Sequence, residues 1–408
     1  MRADTDQVVV TGLGATTPLG GDVASTWSGM LTGKSGISRI EEDWALDAPV
    51  RIAGRLAVDP SEVLDRVQAR RMDRCQQIAL IAAREAWADA GAPEVEPERL
   101  AVAIGTGTGG TLTMLRQNDI MDSSGMRRMS PHSVPMLMAN GPAALISIEL
   151  GARGGAHAPV SACASGAEAI ALGLDLIRLG RADVVVAGGT EACVNPLVLA
   201  GFAQARAHST RNDEPEQASR PFDVDRDGFV IGEGAAMVVL ERAEFAAARA
   251  ARAHAALAGA GVTSDAHHIT AASPEGQVRA MRMALAAAEL TPLAIEHIHA
   301  HATSTPMGDL AEAESIAEAI GVHPSVTATK SMTGHLFGAA GAVGALAAIL
   351  AVRDGVIPAT QNVDALDPRV KLDVVTGQPR RGAAPAAALT NSFGFGGHNT
   401  SLVFTTAP

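Results

Sequence analysis

Short apolar, β-branched runs that end in glycine recur along the chain: "VVVTGLG" from Val8, "LAVAIGTG" from Leu100 and "DVVVAGG" from Asp183. A fourth run, "AAMVVLE" from Ala235, lacks the glycine. Apolar runs of this length read as strands covered on both faces. Between them lie alanine-rich segments with apolar residues at helical spacing, over residues 76–90, 166–179, 277–290 and 338–352. Strands and helices alternating in this way predict α/β layers around a largely buried sheet.

The stretch "RAEFAAARAARAHAALAGAGV", residues 242–262, reads as a helix followed by a new strand. It places a division between residues 1–250 and 251–408. The second part again runs strand, helix, strand, helix, strand, with "HIHAHATSTP", "VTATKSMTGH" and "AALTNSFGFGGHNTSLVF" at its turns. Two similar halves follow from this order, although direct similarity between them is too weak to establish duplication. The polar stretch "HSTRNDEPEQASRPFDVDRDGF", residues 208–229, is a loop of a length that is usually functional or packed on a neighbour.

Composition narrows the function classes. A formal charge of -12, from 32 basic and 44 acidic residues, argues against nucleic acid or an anionic membrane as the general partner. Cys75, Cys163 and Cys193 are too few, and lack the CxxC spacing, for a disulfide framework, which fits a reducing cytoplasm. The opening "MRADTDQVVVTGLG" enters a strand pattern with no signal-peptide core, and "GAAGAVGALAAILAV" is short and glycine-rich for a membrane span. The expectation is a cytoplasmic protein.

Four segments carry candidate chemistry. In "VSACASGAEAI", a strand ending leads into a small-residue helix, so Cys163 falls at a helix N-terminus where the dipole and free amides favour a thiolate. A buried, space-filling cysteine is the plain alternative. In "HIHAHATSTPMGD", His297, His299 and His301 alternate at strand period and share a face. Zinc bound by two of them with Asp309 lacks a companion motif, and His297 fits a strand histidine satisfied by backbone bonds. In "TKSMTGHLFGAAG", Lys330 and His335 flank a turn; such a pair is ordinarily solvated surface. In "NSFGFGGHN", glycines free backbone amides to face a ligand, as an oxyanion hole requires. A rival is dinucleotide binding at "GTGTGG" from Gly105, but the acidic residues that follow, Asp119 and Asp122, lie in a helical pattern rather than at a strand end.

Together these segments resemble the active-site blocks of the β-ketoacyl-[acyl-carrier-protein] synthases, above all the synthase II type of bacterial fatty-acid synthesis. The resemblance runs from "VVVTGLGATTPLG" through "STRNDEPEQASRPFDVDRDGFVIGEGA" to "NSFGFGGHN". It implies a thiolase-like α/β fold of two similar halves in αβαβα layers, and a homodimer. It implies an acyltransferase that condenses an acyl chain, held as a thioester on Cys163, with malonyl-acyl carrier protein. His301 and His335 then match the two histidines that act on the malonyl thioester, and Lys330 an electrostatic support. The amides of Cys163 and Phe395 match an oxyanion hole, with Phe395 also a gate; Asp265 and His268 match a second mobile loop. Thr303 and Thr305 match threonines that bind the phosphopantetheine arm.

The resemblance further places Thr108, Ser133 and Phe202 at the acyl pocket, the first two being small where many relatives are bulky and apolar. Arg70, Arg71, Arg127, Arg128 and Arg206 match positions near the entrance where the acidic carrier docks. This chain has Ala302, His299 and Gly344 where many relatives have glycine, asparagine and glutamate. Some relatives hold a monovalent cation with that asparagine and glutamate, so no metal is expected here, and no cofactor beyond the carrier's own arm. Two alternatives share the fold: a polyketide or specialised-lipid ketosynthase, and a non-catalytic chain-length partner, which would lack the cysteine.

Overall fold

The computed structural model describes residues 7–408, so the first six residues of the opening segment lie outside it. The first half contributes strands β1 (Val8–Thr16), β2 (Leu100–Gly105), β3 (Ala156–His157), β4 (Val184–Glu191) and β5 (Gly234–Arg242). The second contributes β6 (Ala255–Ser264), β7 (His297–His299), β8 (Ser325–Thr327), β9 (Asp373–Val374), β10 (Ala387–Gly394) and β11 (His398–Thr405). From the centre outward the order is β1-β5-β4-β2-β3 on one side and β6-β11-β10-β7-β8 on the other, with β9 added at the far edge. In both directions the first two pairings are antiparallel and the next two parallel. The halves therefore share one topology. They meet where β1 pairs with β6 at Val9–Ala256 and Val10–Ala255.

Five helices build the layers: α1 (Arg74–Asp89), α2 (Ser165–Arg178), α3 (Pro274–Ala288), α4 (Pro306–Ala319) and α5 (Ala340–Asp354). α1 packs on the outer face of the first half and α3 on that of the second, with α4 beside it, while α2 and α5 lie between the halves and touch strands of both. The result is the expected αβαβα stack. Small residues make the central layer possible: a Cβ on Gly341 would sit 2.7 Å from the Ala167 methyl, and one on Gly166 would sit 2.7 Å from the Gly338 carbonyl. The boundaries follow local chemistry. α1 begins two residues before the apolar pattern does, because Asp73 and Gln76 form a capping box around its first turn.

Burial, rather than length, decides the nature of the apolar stretch near the C-terminus. The helical segment Phe337–Asp354 is long and apolar enough to cross a membrane, longer than its sequence implied, yet 89% of it is buried inside the protein as core. The polar loop 208–229 packs onto the second half. Its Arg226 is buried, pairs with Asp367 at 2.9 Å and donates to the carbonyls of Thr305 (3.1 Å) and Pro306 (2.7 Å).

Candidate active site

Cys163 stands in a one-turn 3-10 segment, Ala162–Ala164, that leads directly into α2. Ala162 has φ of 51°, a left-handed conformation unusual for alanine, which turns the chain so that the cysteine meets the facing loop. That loop is the glycine-rich end of β10: a Cβ on Gly394 would lie 2.4 Å from the Ser161 carbonyl and 3.1 Å from the Cys163 nitrogen. Glycine is required by this approach. As a consequence, the backbone amides of Phe395 and of Cys163 itself reach the sulfur.

The histidines come from the other half. The strand expected to carry all three ends at His299, and His301 lies beyond it in a turn whose amides are held by a buried carboxylate. The N–H groups of His301 and Ala302 donate to Glu312 at 2.8 and 2.6 Å, and Asn391 adds a third donor at 3.2 Å. The ammonium of Lys330 donates to the His301 carbonyl. His335 Nε2 lies 3.0 Å from Cys163 Sγ, and its ring is stacked on Phe337 at 4.6 Å and met edge-on by Phe229 at 5.6 Å. The His301 ring stands perpendicular to that of His335, their centroids 5.5 Å apart.

Burial controls the protonation states. It pushes the Cys163 thiol up to about 12, against the opposing pull of Lys330 and the two amides, so the expected thiolate preference of a helix N-terminus is overridden. Burial together with the Lys330 charge drives both His301 and His335 well below the usual imidazole range, leaving them neutral. Burial lowers Lys330 to about 8 despite the attraction of Glu312, and it raises Glu312. Lys330 and His335, read from sequence as a pair that is ordinarily solvated, are both buried.

One cavity of about 710 Å³ joins these groups: Cys163, Phe202, Asp265, His301, Thr303, Thr305, His335 and Phe395 all line it. Thr303 and Thr305 set their hydroxyls 3.1 Å apart at its wall, and Phe395 is 43% exposed, so it can swing without disturbing the core. Asp265 accepts from Asn399 Nδ2 (2.6 Å) and from the Ser273 N–H (3.0 Å), tying its loop to β11, while the exposed His268 accepts from the amides of Thr270 and Ala271. Lys330 lies behind the lining. Thr108 and Ser133 lie off it as well; the Thr108 hydroxyl donates to Glu191 instead. Arg70, Arg71, Arg127, Arg128 and Arg206 are all exposed.

Two readings from sequence change. His297 is fully buried, but neither of its ring nitrogens has a hydrogen-bond partner among the described residues, so the backbone bonds expected for it do not form. Asp309 turns away from the histidines: it accepts from the amides of Phe222 (2.9 Å), Ser304 (3.0 Å) and Thr305 (3.3 Å). Among the described residues no cluster of three histidine, cysteine or acidic side chains is arranged to hold a metal. Sequence reasoning missed Glu312 and Glu191. The available signal for Glu191 was a lone charge directly after the apolar run "VVVAGGT"; Glu312 sits in an ordinary acidic helix and had none.

Known proteins are similar to this chain in sequence and in fold. Family models for the β-ketoacyl synthase N-terminal and C-terminal domains match residues 5–246 and 254–364. A "3-oxoacyl-[acyl-carrier-protein] synthase 2" from Mycobacterium bovis is 46% identical over 97% of this chain and 96% of its own. One of the same name from Synechocystis is 44% identical over 98% and 97%. Among solved structures, a β-ketoacyl synthase from Burkholderia phymatum superposes with a TM-score of 0.91 at 35% identity, covering 98% of this chain and all of the other. A ketosynthase solved in complex with a type II polyketide acyl-carrier protein superposes with a TM-score of 0.90 at 29% identity, over 98% and 99%. The chain belongs to the β-ketoacyl synthase family.

Proposed function

We propose that this protein is a 3-oxoacyl-[acyl-carrier-protein] synthase that lengthens fatty acyl chains by two carbons through decarboxylative Claisen condensation. The observation that carries the reading is the meeting of Cys163 Sγ with His335 Nε2 at 3.0 Å, under two backbone amides and beside a second neutral imidazole. An acyl thioester on the carrier's phosphopantetheine arm enters past Phe395, with Thr303 and Thr305 binding the arm. Because the thiol holds its proton, His335 Nε2 takes that proton as sulfur attacks the carbonyl. The amides of Cys163 and Phe395 receive the oxyanion, and the departing pantetheine sulfur leaves with the proton.

Malonyl carrier protein then enters the same cavity. Once the acyl group is on Cys163, His335 exchanges its proton from Nδ1 to Nε2, and the neutral imidazoles of His301 and His335 donate through Nε2–H to the malonyl thioester oxygen, which becomes the enolate oxygen as carbon dioxide leaves. No hydrogen bond at either Nδ1 among the described residues opposes that tautomer. The enolate carbon attacks the acyl–Cys163 carbonyl, the C–S bond breaks, and the released thiolate takes the Nε2 proton of His335 while a proton from solvent is taken up at Nδ1, which restores the starting tautomer and supplies the one proton that the condensation consumes. Lys330, fixed on the His301 carbonyl, adds positive charge behind the developing anion. The reaction uses no cofactor beyond the carrier's arm.

Acyl carrier protein is the partner, docking its acidic surface near Arg127, Arg128 and Arg206, with Arg70 and Arg71 close to the same entrance; the protein works as a cytoplasmic homodimer. A second reading, polyketide assembly by the same chemistry, has support from the likeness to the polyketide ketosynthase. The higher identity to relatives named for 3-oxoacyl synthesis favours the first. Intact-protein mass spectrometry after mixing with carrier proteins bearing different acyl chains tests both. An acyl mass mapped to Cys163 is expected, ranked by chain class; no adduct from any competent donor sinks the catalytic reading.

A further inference from the structure

The glycine-rich "GTGTGG" turn after β2 has no part in the steps above, yet its amides are engaged. They face Glu191, the last residue of β4, which is completely buried. Oε2 of Glu191 accepts from the N–H of Gly107 (2.8 Å) and of Gly338 (3.0 Å). Oε1 accepts from the Thr106 hydroxyl (3.1 Å), the Thr108 N–H (3.2 Å) and the Thr108 hydroxyl (2.7 Å). Burial raises the pKa of this side chain, and the five donors that converge on it oppose that shift and favour the ionised carboxylate. A side-chain anion already fills the place where a dinucleotide phosphate would sit.

This carboxylate joins the two segments that make the reacting pair. Gly338 follows His335 by three residues and belongs to the second half. The Gly107 turn belongs to the first half and presses on the cysteine turn: a Cβ on Gly105 would lie 2.2 Å from the Ser165 carbonyl oxygen. Ser165 Oγ in turn accepts from Ser161 N–H at 3.0 Å and donates to the Ala162 carbonyl at 2.6 Å, fixing the backbone on both sides of Cys163.

We propose that Glu191 is a positioning residue: it locks together the turns that bring Cys163 and His335 to 3.0 Å, and its buried charge acts on the sulfur. The inference rests on the roles given above to Cys163 and His335. Burial is the first cause of the raised thiol pKa, and the Glu191 charge adds to it while Lys330 opposes it. His335, His301 and Cys193 also face the sulfur, the last two from β7's following turn and from the chain just beyond β4.

The test uses the full-length E191Q and E191A proteins. The glutamine keeps the shape but turns an NH2 group toward donors, and the alanine leaves three backbone amides unpaired in the core. For E191Q, kcat for condensation is expected to fall about 10²-fold while KM for the carrier substrates stays within about twofold. Iodoacetamide labelling of Cys163, followed by peptide mass spectrometry, should reach its half-maximal rate at lower pH than in wild type, since the repelling charge is gone. A merely structural role would not move that profile. Should E191A fail to fold, E191Q alone decides. Folded E191Q with unchanged kcat and a labelling profile superimposable on wild type overturns the proposal. Absence of acyl transfer to wild-type Cys163 would instead refute the function itself, and the labelling profile remains readable in that case.

Discussion

The two halves use the same backbone device and put it to opposite uses. In the first, a 3-10 turn beginning with left-handed Ala162 (φ 51°) leads into the central helix α2, and its second residue is Cys163. In the second, a 3-10 turn beginning with left-handed Phe337 (φ 42°) leads into the central helix α5, and its second residue is Gly338. The Cys163 amide reaches a sulfur that lines the cavity, whereas the Gly338 amide donates to Glu191 in the core. Although their first two residues differ, the turns divide the work: one faces its donors to the cavity, and the other fastens the halves together. On the proposed mechanism, one topology used twice thus supplies a catalytic helix terminus and a structural one.

The largest effect should come from the open turn. Cys163→Ser is expected to lower condensation by at least about 10³-fold, as loss of a nucleophile does. Cys163→Gln should abolish condensation while malonyl carrier protein is still decarboxylated, because His301 and His335 remain in place. Release of carbon dioxide without 3-oxoacyl product is the readout. Condensation at the wild-type rate in either variant would remove the distinction between the two turns.

The closed turn answers to a smaller change. A Cβ on Gly338 would lie 2.4 Å from the Gly107 nitrogen and 2.8 Å from two backbone atoms of Thr106. Backbone cannot move aside as a side-chain end can, so Gly338→Ala should cost on the order of 1–3 kcal/mol of stability, read by thermal or urea unfolding. Activity should fall with it, since Gly338 is three residues from His335. A Gly338→Ala protein as stable as wild type would mean that the second turn is not a fastening.

A third contrast separates charge from fold, through pH. Lys330 is lowered to about 8 by burial, so above that pH it loses the charge proposed to support the enolate. The rate of malonyl decarboxylation should fall as pH rises through 8, approaching tenfold per unit. Stability moves the other way. Between pH 8 and the ordinary lysine value the unfolded chain binds more protons than the folded one, so this group's contribution to stability increases with pH. Lys330→Met should be slower throughout and lack the alkaline fall, whereas a fall that persists in the variant assigns the limb to another group.

How much of this was legible in the chain follows from the range of the interactions. The strands at Val8, Leu100, Asp183 and Ala235, and the four helices, declare themselves through local apolar periodicity, and all were found within a few residues. That Cys163, His301, His335 and the "NSFGFGGHN" turn meet at one cavity was legible because each lies in a short block that resembles a known family's. Glu191 was not, since it matters only through donors brought to it by distant segments, Gly338 lying 147 positions away; Glu312 was not, although His301 and Ala302 lie only 11 and 10 positions before it, since nothing local marks which acidic residue of its helix turns inward to those amides. The protonation of Cys163 was misjudged for the same reason: a helix terminus is visible in sequence, while the desolvation that outweighs it belongs to the assembled cavity.

The smallest effect expected concerns Gly344, in the central helix that the Gly338 turn leads into, and it sharpens the reason Gly338 is intolerant. A Cβ at Gly344 would meet Thr390 Oγ1 at 2.8 Å and His299 Nδ1 at 2.9 Å, both ends of side chains rather than backbone. The His299 ring occupies that space while its Nε2 lies 2.9 Å from Thr329 Oγ1, beside Lys330. Gly344→Ala should therefore cost about 1 kcal/mol, less than Gly338→Ala, by tilting the ring rather than moving the chain. His299→Ala in the same protein should recover part of that loss, giving a coupling on the order of 0.5–1 kcal/mol in a double-mutant cycle of urea unfolding. Additive losses would mean that the added methyl is resisted by something other than the imidazole. The contrast between a glycine required by backbone and one required by a side chain would then fail.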